Sequence, residues 1–160
     1  MQQLSSAAQL KTARVKLEKA DSAGKLLQLR DYQKQVIKQI YHWYRWGKKS
    51  VMLVSPTGSG KTLTATHMIT DAVNRNCRVL FIVHREPLID QTVNTLINYG
   101  LKASQIGYVK AGYPHAEGDE MVIVASIQTL ARRDYPKEIG LVIFDETHTT
   151  SFRSFALTEF

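Results

Sequence analysis

Cys77 is the only cysteine in the chain, which excludes a disulfide framework and any metal site built from several thiolates. It reads instead as a small buried side chain. Long apolar runs are missing too. No stretch approaches the ~20 residues that span a bilayer, and the N-terminal segment, rich in Lys, Gln and Ser, lacks the apolar centre of a secretory signal. A soluble, cytoplasmic protein is the expectation. Internal repeats and low-complexity tracts are absent as well, so the chain does not read as a solenoid or a disordered tail. Acidic residues are scarce in one region. Residues 1–49 hold 11 lysines and arginines against 3 acids, a net +8, whereas residues 50–160 hold 10 against 11, a net −1. Basicity confined to the N-terminal part suits phosphate contact through counterion release, and it equally suits a solvated helix face.

What is present fits one globular unit, since 160 residues with 44% hydrophobic and 22% charged content supply a single core of ordinary composition. Residues 5–20 favour helix but form no clean apolar stripe, and Asp21, Ser22 and Gly24 interrupt them. Residues 1–28 therefore read as a basic, helical extension, followed by a domain over residues 29–160. From Asp31 onward Val36, Ile37, Ile40, Tyr41 and Tyr44 recur at helical spacing until Gly47 closes the segment. Beyond it, short apolar runs at residues 51–54, 79–83, 122–125 and 141–144 have the β-branched content of strands buried on both faces. Between them, Ala65, Met68, Ile69, Ala72 and Val73 form one covering helix face, and Ile89, Val93, Leu96 and Ile97 form a second. Residues 105–109 add a short strand, and Gly112, Pro114 and Gly118 mark a surface loop. The alternation predicts an α/β fold, a doubly wound parallel sheet flanked by helices with right-handed crossovers.

Two motifs carry chemistry. Ser55-Pro56-Thr57-Gly58-Ser59-Gly60-Lys61-Thr62 lies between the first apolar run and the first amphipathic helix, the context of a phosphate-binding loop. Glycines let successive N–H groups turn inward, and the following helix points its positive end at the anion. Thr57, Gly58, Ser59 and Gly60 form the cradle for ATP, Lys61 meets the outer phosphates, and the Thr62 hydroxyl ligates Mg²⁺. Ser55 stands where the strict pattern has Gly, but the residues on which the physics depends remain. The run 141–144 ends in Asp145 and Glu146, at the carboxyl end of a strand, where open α/β sheets bind ligands. Asp145 fits a metal-holding role and Glu146 the orientation and deprotonation of water. His148 is placed to couple the nucleotide site to something beyond it.

With the loop and Asp145-Glu146-Thr147-His148 both in place, the sequence resembles the superfamily two helicases and translocases, in particular the DExH group that includes ATPase subunits of restriction enzymes. Thr147 stands where the commoner form of that motif has Ala. The resemblance implies a RecA-like fold and assigns adenine recognition to Gln33, in Leu29-Arg30-Asp31-Tyr32-Gln33, with Arg30 as helper; a helix start capped by Asp31 fits the same residues. It also implies nucleic-acid contacts by Arg85 and Gln91, in the stretch 83–91, and by Ser126, Gln128 and Thr129, in the stretch 125–130. Such contacts grip the sugar-phosphate chain and fix position without reading bases. The implied partners are nucleic acid, DNA in preference to RNA, and a second RecA-like domain carrying an arginine finger in a longer parent. Because such a finger is worth about 10³–10⁵ in rate, the chain by itself is expected to bind Mg-ATP weakly and hydrolyse it slowly. Two other classes compete: a nucleic-acid-binding module without catalysis, and a small-molecule kinase, which the Asp-Glu-x-His element and the lack of an Arg-rich lid disfavour.

Overall fold

The computed structural model describes residues 28–56, 58–109, 120–130 and 137–145. Residues 1–27 of the extension expected over residues 1–28, and the expected loop at Gly112, Pro114 and Gly118, lie outside them. In chain order the elements are α1 (Asp31–Arg45), α2 (Lys61–Asn74), β1 (Val79–Val83), α3 (Pro87–Asn98), a short 3₁₀ turn (Ala103–Gln105), β2 (Ile106–Val109), β3 (Val122–Ser126), α4 (Ile127–Leu130) and β4 (Leu141–Phe144). The strands form one parallel sheet in the order β2-β3-β1-β4, with Phe81 of β1 opposite Val124 of β3 and Ile143 of β4.

Strand alternation sorts the core into two layers. Val79, Phe81 and Val83, with Val122 and Val124, pack under Ile69, Ala72 and Val73 of α2 and Ile89, Val93, Leu96 and Ile97 of α3. The opposite faces of the same strands present Leu80, Ile82, Ile123 and Ala125 to Ile127 and Leu130 of α4. Both faces of β1 and β3 are thus covered, which explains why their sequences are continuously apolar rather than alternating. Each fully buried side chain among them contributes about 1.5–3 kcal/mol of transfer free energy. The α/β parallel sheet flanked by helices is the architecture predicted from the sequence.

One predicted strand is not observed. Residues 51–54 pair with no strand; Met52 is 70% and Val54 83% exposed, while Val51 is only half-buried against α1 and β4. They are as continuously apolar as β1, but although Val51 packs in the same cluster as Ile143 of β4 they form no ladder with any described strand, and an extended segment without hydrogen-bonded neighbours is not a strand. The start of α1 also differs from the expected Asp31 cap. Arg30 is the capping position with extended backbone, Asp31 is the first helical residue, and the Gln33 side chain reaches back to accept from the Arg30 N–H at 2.9 Å.

Helices α1 and α2 lie side by side and run in the same direction, because Gln33 near the start of α1 meets Gly60 just before α2, and Tyr41 farther along meets Asp71. Ile37, Ile40 and Met68 seal the seam. The Tyr41 hydroxyl donates to Asp71 Oδ2 at 2.7 Å, and Arg75 closes a 3.0 Å ion pair with the same carboxylate. Burial, reinforced by the Asp71 charge, raises the Tyr41 hydroxyl well above its ordinary range, so it stays a donor. Tyr41→Phe should cost ~1.5 kcal/mol, the value of a hydrogen bond to a charged partner, with urea denaturation as the measurement; an unchanged midpoint would mean the clamp does not hold the two helices.

Candidate functional site

The loop before α2 is shaped by two glycines in left-handed backbone, Gly58 at φ +78° and Gly60 at φ +75°. Ser59 N–H closes the turn onto Pro56 O at 3.3 Å, and the Ser55 hydroxyl bonds that of Ser59. Lys61, the first residue of α2, folds its ammonium back across the curl and donates to Ser55 O at 2.9 Å and Pro56 O at 3.1 Å. The lysine thus braces from inside the loop it follows. Thr62 is exposed on the first turn of α2, and its carbonyl accepts the Thr66 hydroxyl at 2.8 Å. Thr57 lies outside the described residues.

Gln33 is 2% exposed, and both ends of its amide are engaged. Its oxygen accepts from the Arg30 backbone, while Nε2 donates to Gly60 O at 3.1 Å and, more weakly, to Ser59 O at 3.4 Å. The helix expected to meet a base is therefore fastened to the loop expected to meet phosphates. Glycine is favoured at position 60 for two reasons: its backbone is left-handed, and a Cβ would sit 2.6 Å from Gln33 Nε2, so the amide would have to shift. Gly60→Ala should lose about 1–2 kcal/mol from the backbone alone and more from the displaced amide, whereas a Gln33→Ala, Gly60→Ala double variant should recover the second part. Equal stability of wild type and Gly60→Ala in denaturant titrations would refute this packing.

No motif in the sequence gives Tyr32 a role, yet its hydroxyl also donates to Ser59 O. It lines a shallow cleft of about 70 Å³ together with Gln33, Val36, Leu53, Ser55 and Lys61. That volume is far below the ~300 Å³ at the lower end of enclosed ligand sites, so this is an open edge. A weak signal for Tyr32 existed in its position beside Gln33, but partners 27 residues away cannot be read from local pattern.

Asp145 of the acidic motif lies at the same edge of the sheet. Helix α2 leads through a short turn into β1, so it runs back along the sheet and its first residue, Lys61, lies at the carboxyl end of the strands. Asp145 follows β4 at that end, and its N–H donates to Ile82 O at 2.9 Å, extending the β1–β4 ladder past Phe144. Glu146 and His148 lie outside the described residues. Arg85 and Gln91 are exposed at the start of α3, after β1, again on this edge. Gln128 is exposed on α4. Ser126 and Thr129 differ from the expected surface contacts. They are 0% and 9% exposed, their hydroxyls bond one another at 2.8 Å, and Ser126 Oγ accepts the Thr129 N–H at 3.2 Å. The Ser126 hydroxyl thereby caps the start of α4.

The family described as type III restriction enzyme, res subunit, matches residues 26–158. The chain belongs to that family. It is thereby a helicase-like ATPase domain, and its relatives agree. It is 34% identical over 142 residues to IRC3, a Saccharomyces cerevisiae protein that carries the name of an ATP-dependent helicase, across 79% of this chain and 20% of that protein. Over 61 residues it is 38% identical to a 51.5 kDa protein of a Lactococcus phage, across 38% of this chain and 14% of the phage protein. The crystal structure of the UvsW helicase from bacteriophage T4 superposes with a TM-score of 0.66 at 19% identity, covering 81% of this chain and 47% of UvsW, and it shares the RecA-like fold. The chain thus spans a fifth of IRC3 and under half of UvsW. No described helix is long and apolar enough to cross a membrane.

Proposed function

We propose that this domain binds Mg-ATP at the edge formed by the Ser55–Thr62 loop and Asp145, and that it is the N-terminal RecA-like half of an ATP-driven helicase or translocase. The observation that carries the reading is the Lys61 ammonium held across a glycine-shaped curl by Ser55 O and Pro56 O. A polyanion entering that curl exchanges neutral carbonyl partners for charged oxygens, a gain for a compact ammonium. Gly58, Ser59 and Gly60 supply the backbone N–H groups, with Thr57 completing the cradle. Gln33 carries contact at the base to the loop through Gly60 O, and Arg30 flanks it on the exposed side.

The donor set fits a magnesium ion, because a hydroxyl and one carboxylate are what a cation already coordinated by phosphates requires. Thr62 and Asp145 would hold it, and when bound it neutralises charge on the outer phosphates. Glu146 orients and deprotonates the attacking water, and His148 couples this site to the nucleic-acid face. Arg85, Gln91 and Gln128 meet the sugar-phosphate chain of a nucleic acid, DNA in preference to RNA. A longer parent supplies the second RecA-like domain and its arginine.

The test is a titration of the chain with a fluorescent ATP analogue and Mg²⁺, followed by phosphate release with and without single-stranded DNA. Weak but saturable binding with slow turnover is expected. Absence of saturable binding would end the ATP reading. Vigorous DNA-stimulated turnover by this chain would overturn the requirement for a second domain.

A further inference from the structure

Away from the nucleotide edge, the C-terminal end of α1 presents an aromatic group that no other described residue covers. Trp43 is 44% and Trp46 69% exposed, with ring centroids 6.1 Å apart at 81°, and the His42 ring lies 4.8 Å from Trp46. The backbone that carries the rings is held. Gly47, at φ +79°, lets the chain turn back so that Gly47 N–H reaches Tyr44 O and Lys48 N–H reaches Trp43 O, a doubly bonded helix end that sets Trp46 in place. Charge here has one sign. Residues 32–70 contain six lysines and arginines and no acid, and among the described residues Arg45, Lys48 and Lys49 form no ion pair. The Asp71 carboxylate is already shared between Tyr41 and Arg75.

We propose that Trp43 and Trp46, with Arg45, Lys48 and Lys49, form a second, ATP-independent contact for single-stranded nucleic acid. Exposed aromatic faces set among cations are what unstacked bases and their phosphates require. Tryptophan and arginine alone would suit a protein partner equally, but Lys48 and Lys49 beside them favour a polyanion, because protein interfaces deplete lysine. The position is separate from the motor site. Helix α1 is about 22 Å long, its start is fastened to the loop at Gly60, and the tryptophans occupy its other end. A strand held there anchors the domain without entering the ATPase cycle.

Trp43 and Trp46 are the only tryptophans in the chain, so tryptophan emission, excited at the red edge where the seven tyrosines do not absorb, reports this patch alone. Titration with a short oligothymidylate should quench that emission, with heparin as a polyanion lacking bases. Trp46→Ala should weaken oligonucleotide affinity about tenfold, Trp46→Phe should restore most of it, and Lys61→Ala should leave the quench unchanged. Oligonucleotide binding without quench, or equal quench by heparin, would overturn the stacking contact. A concentration-dependent emission shift without oligonucleotide would assign the patch to self-association and overturn it likewise. Loss of ATP binding with the quench retained would count against the proposed motor site only.

Discussion

Lys61→Ala should weaken Mg-ATP binding by about a hundredfold or more while nucleic-acid binding persists. The size follows from two contributions removed at once. The ammonium is the charged donor nearest the phosphates, and hydrogen bonds to charged groups are worth about 1.5–3 kcal/mol each. Before the nucleotide enters it also ties Ser55 O to Pro56 O, so its loss slackens the empty curl and adds to the cost of ordering the loop amides. Lys61→Arg should not rescue, because a planar fork cannot occupy the point between two carbonyls that a compact ammonium fills. Binding of the fluorescent analogue by Lys61→Ala within a few-fold of wild type would mean that the loop is not the phosphate site. If nucleic-acid affinity fell in parallel with ATP affinity, the substitution would have damaged the fold and Lys61→Met would decide.

The parts of this domain that were legible in the sequence are those whose cause is local. Val79–Val83 and Leu141–Phe144 are strands with the bounds read from apolar run length, and Ile89, Val93, Leu96 and Ile97 form the buried face of α3 that their spacing implied. Residues 51–54 failed for the converse reason, since a β-branched run states that a segment can be buried and says nothing about which strand lies beside it. Ser126 and Thr129 read as polar contacts because polarity was visible and burial was not; a hydroxyl pair buried at the start of a short helix looks the same in one dimension as a pair facing solvent. The Tyr41–Asp71 bond and the Gln33–Gly60 bond join residues 30 and 27 apart. No pattern within a helix encodes such a contact, and these two set the spacing of α1 against α2.

Asp145→Asn should abolish most of the strengthening of ATP binding by Mg²⁺ while leaving the affinity for metal-free ATP nearly unchanged or improved. The substitution keeps the shape of the side chain and the backbone N–H to Ile82 O, so β4 remains registered on β1 through Phe81 and Ile143. What it removes is one negative charge at the strand end. With the carboxylate, a divalent cation bridges protein and phosphates; without it, the cation must rely on the Thr62 hydroxyl and on the nucleotide itself, and hard cations favour charged oxygen. Metal-free ATP, in contrast, no longer meets a like charge across the cleft, which is the source of the small improvement. Comparing nucleotide titrations in Mg²⁺ and in chelator isolates this effect from any change in folding, because both arms use the same protein. A magnesium dependence equal to that of wild type would remove Asp145 from the site. The edge would then be a phosphate loop without its acidic partner, able to bind a nucleotide but lacking the arrangement that drives hydrolysis.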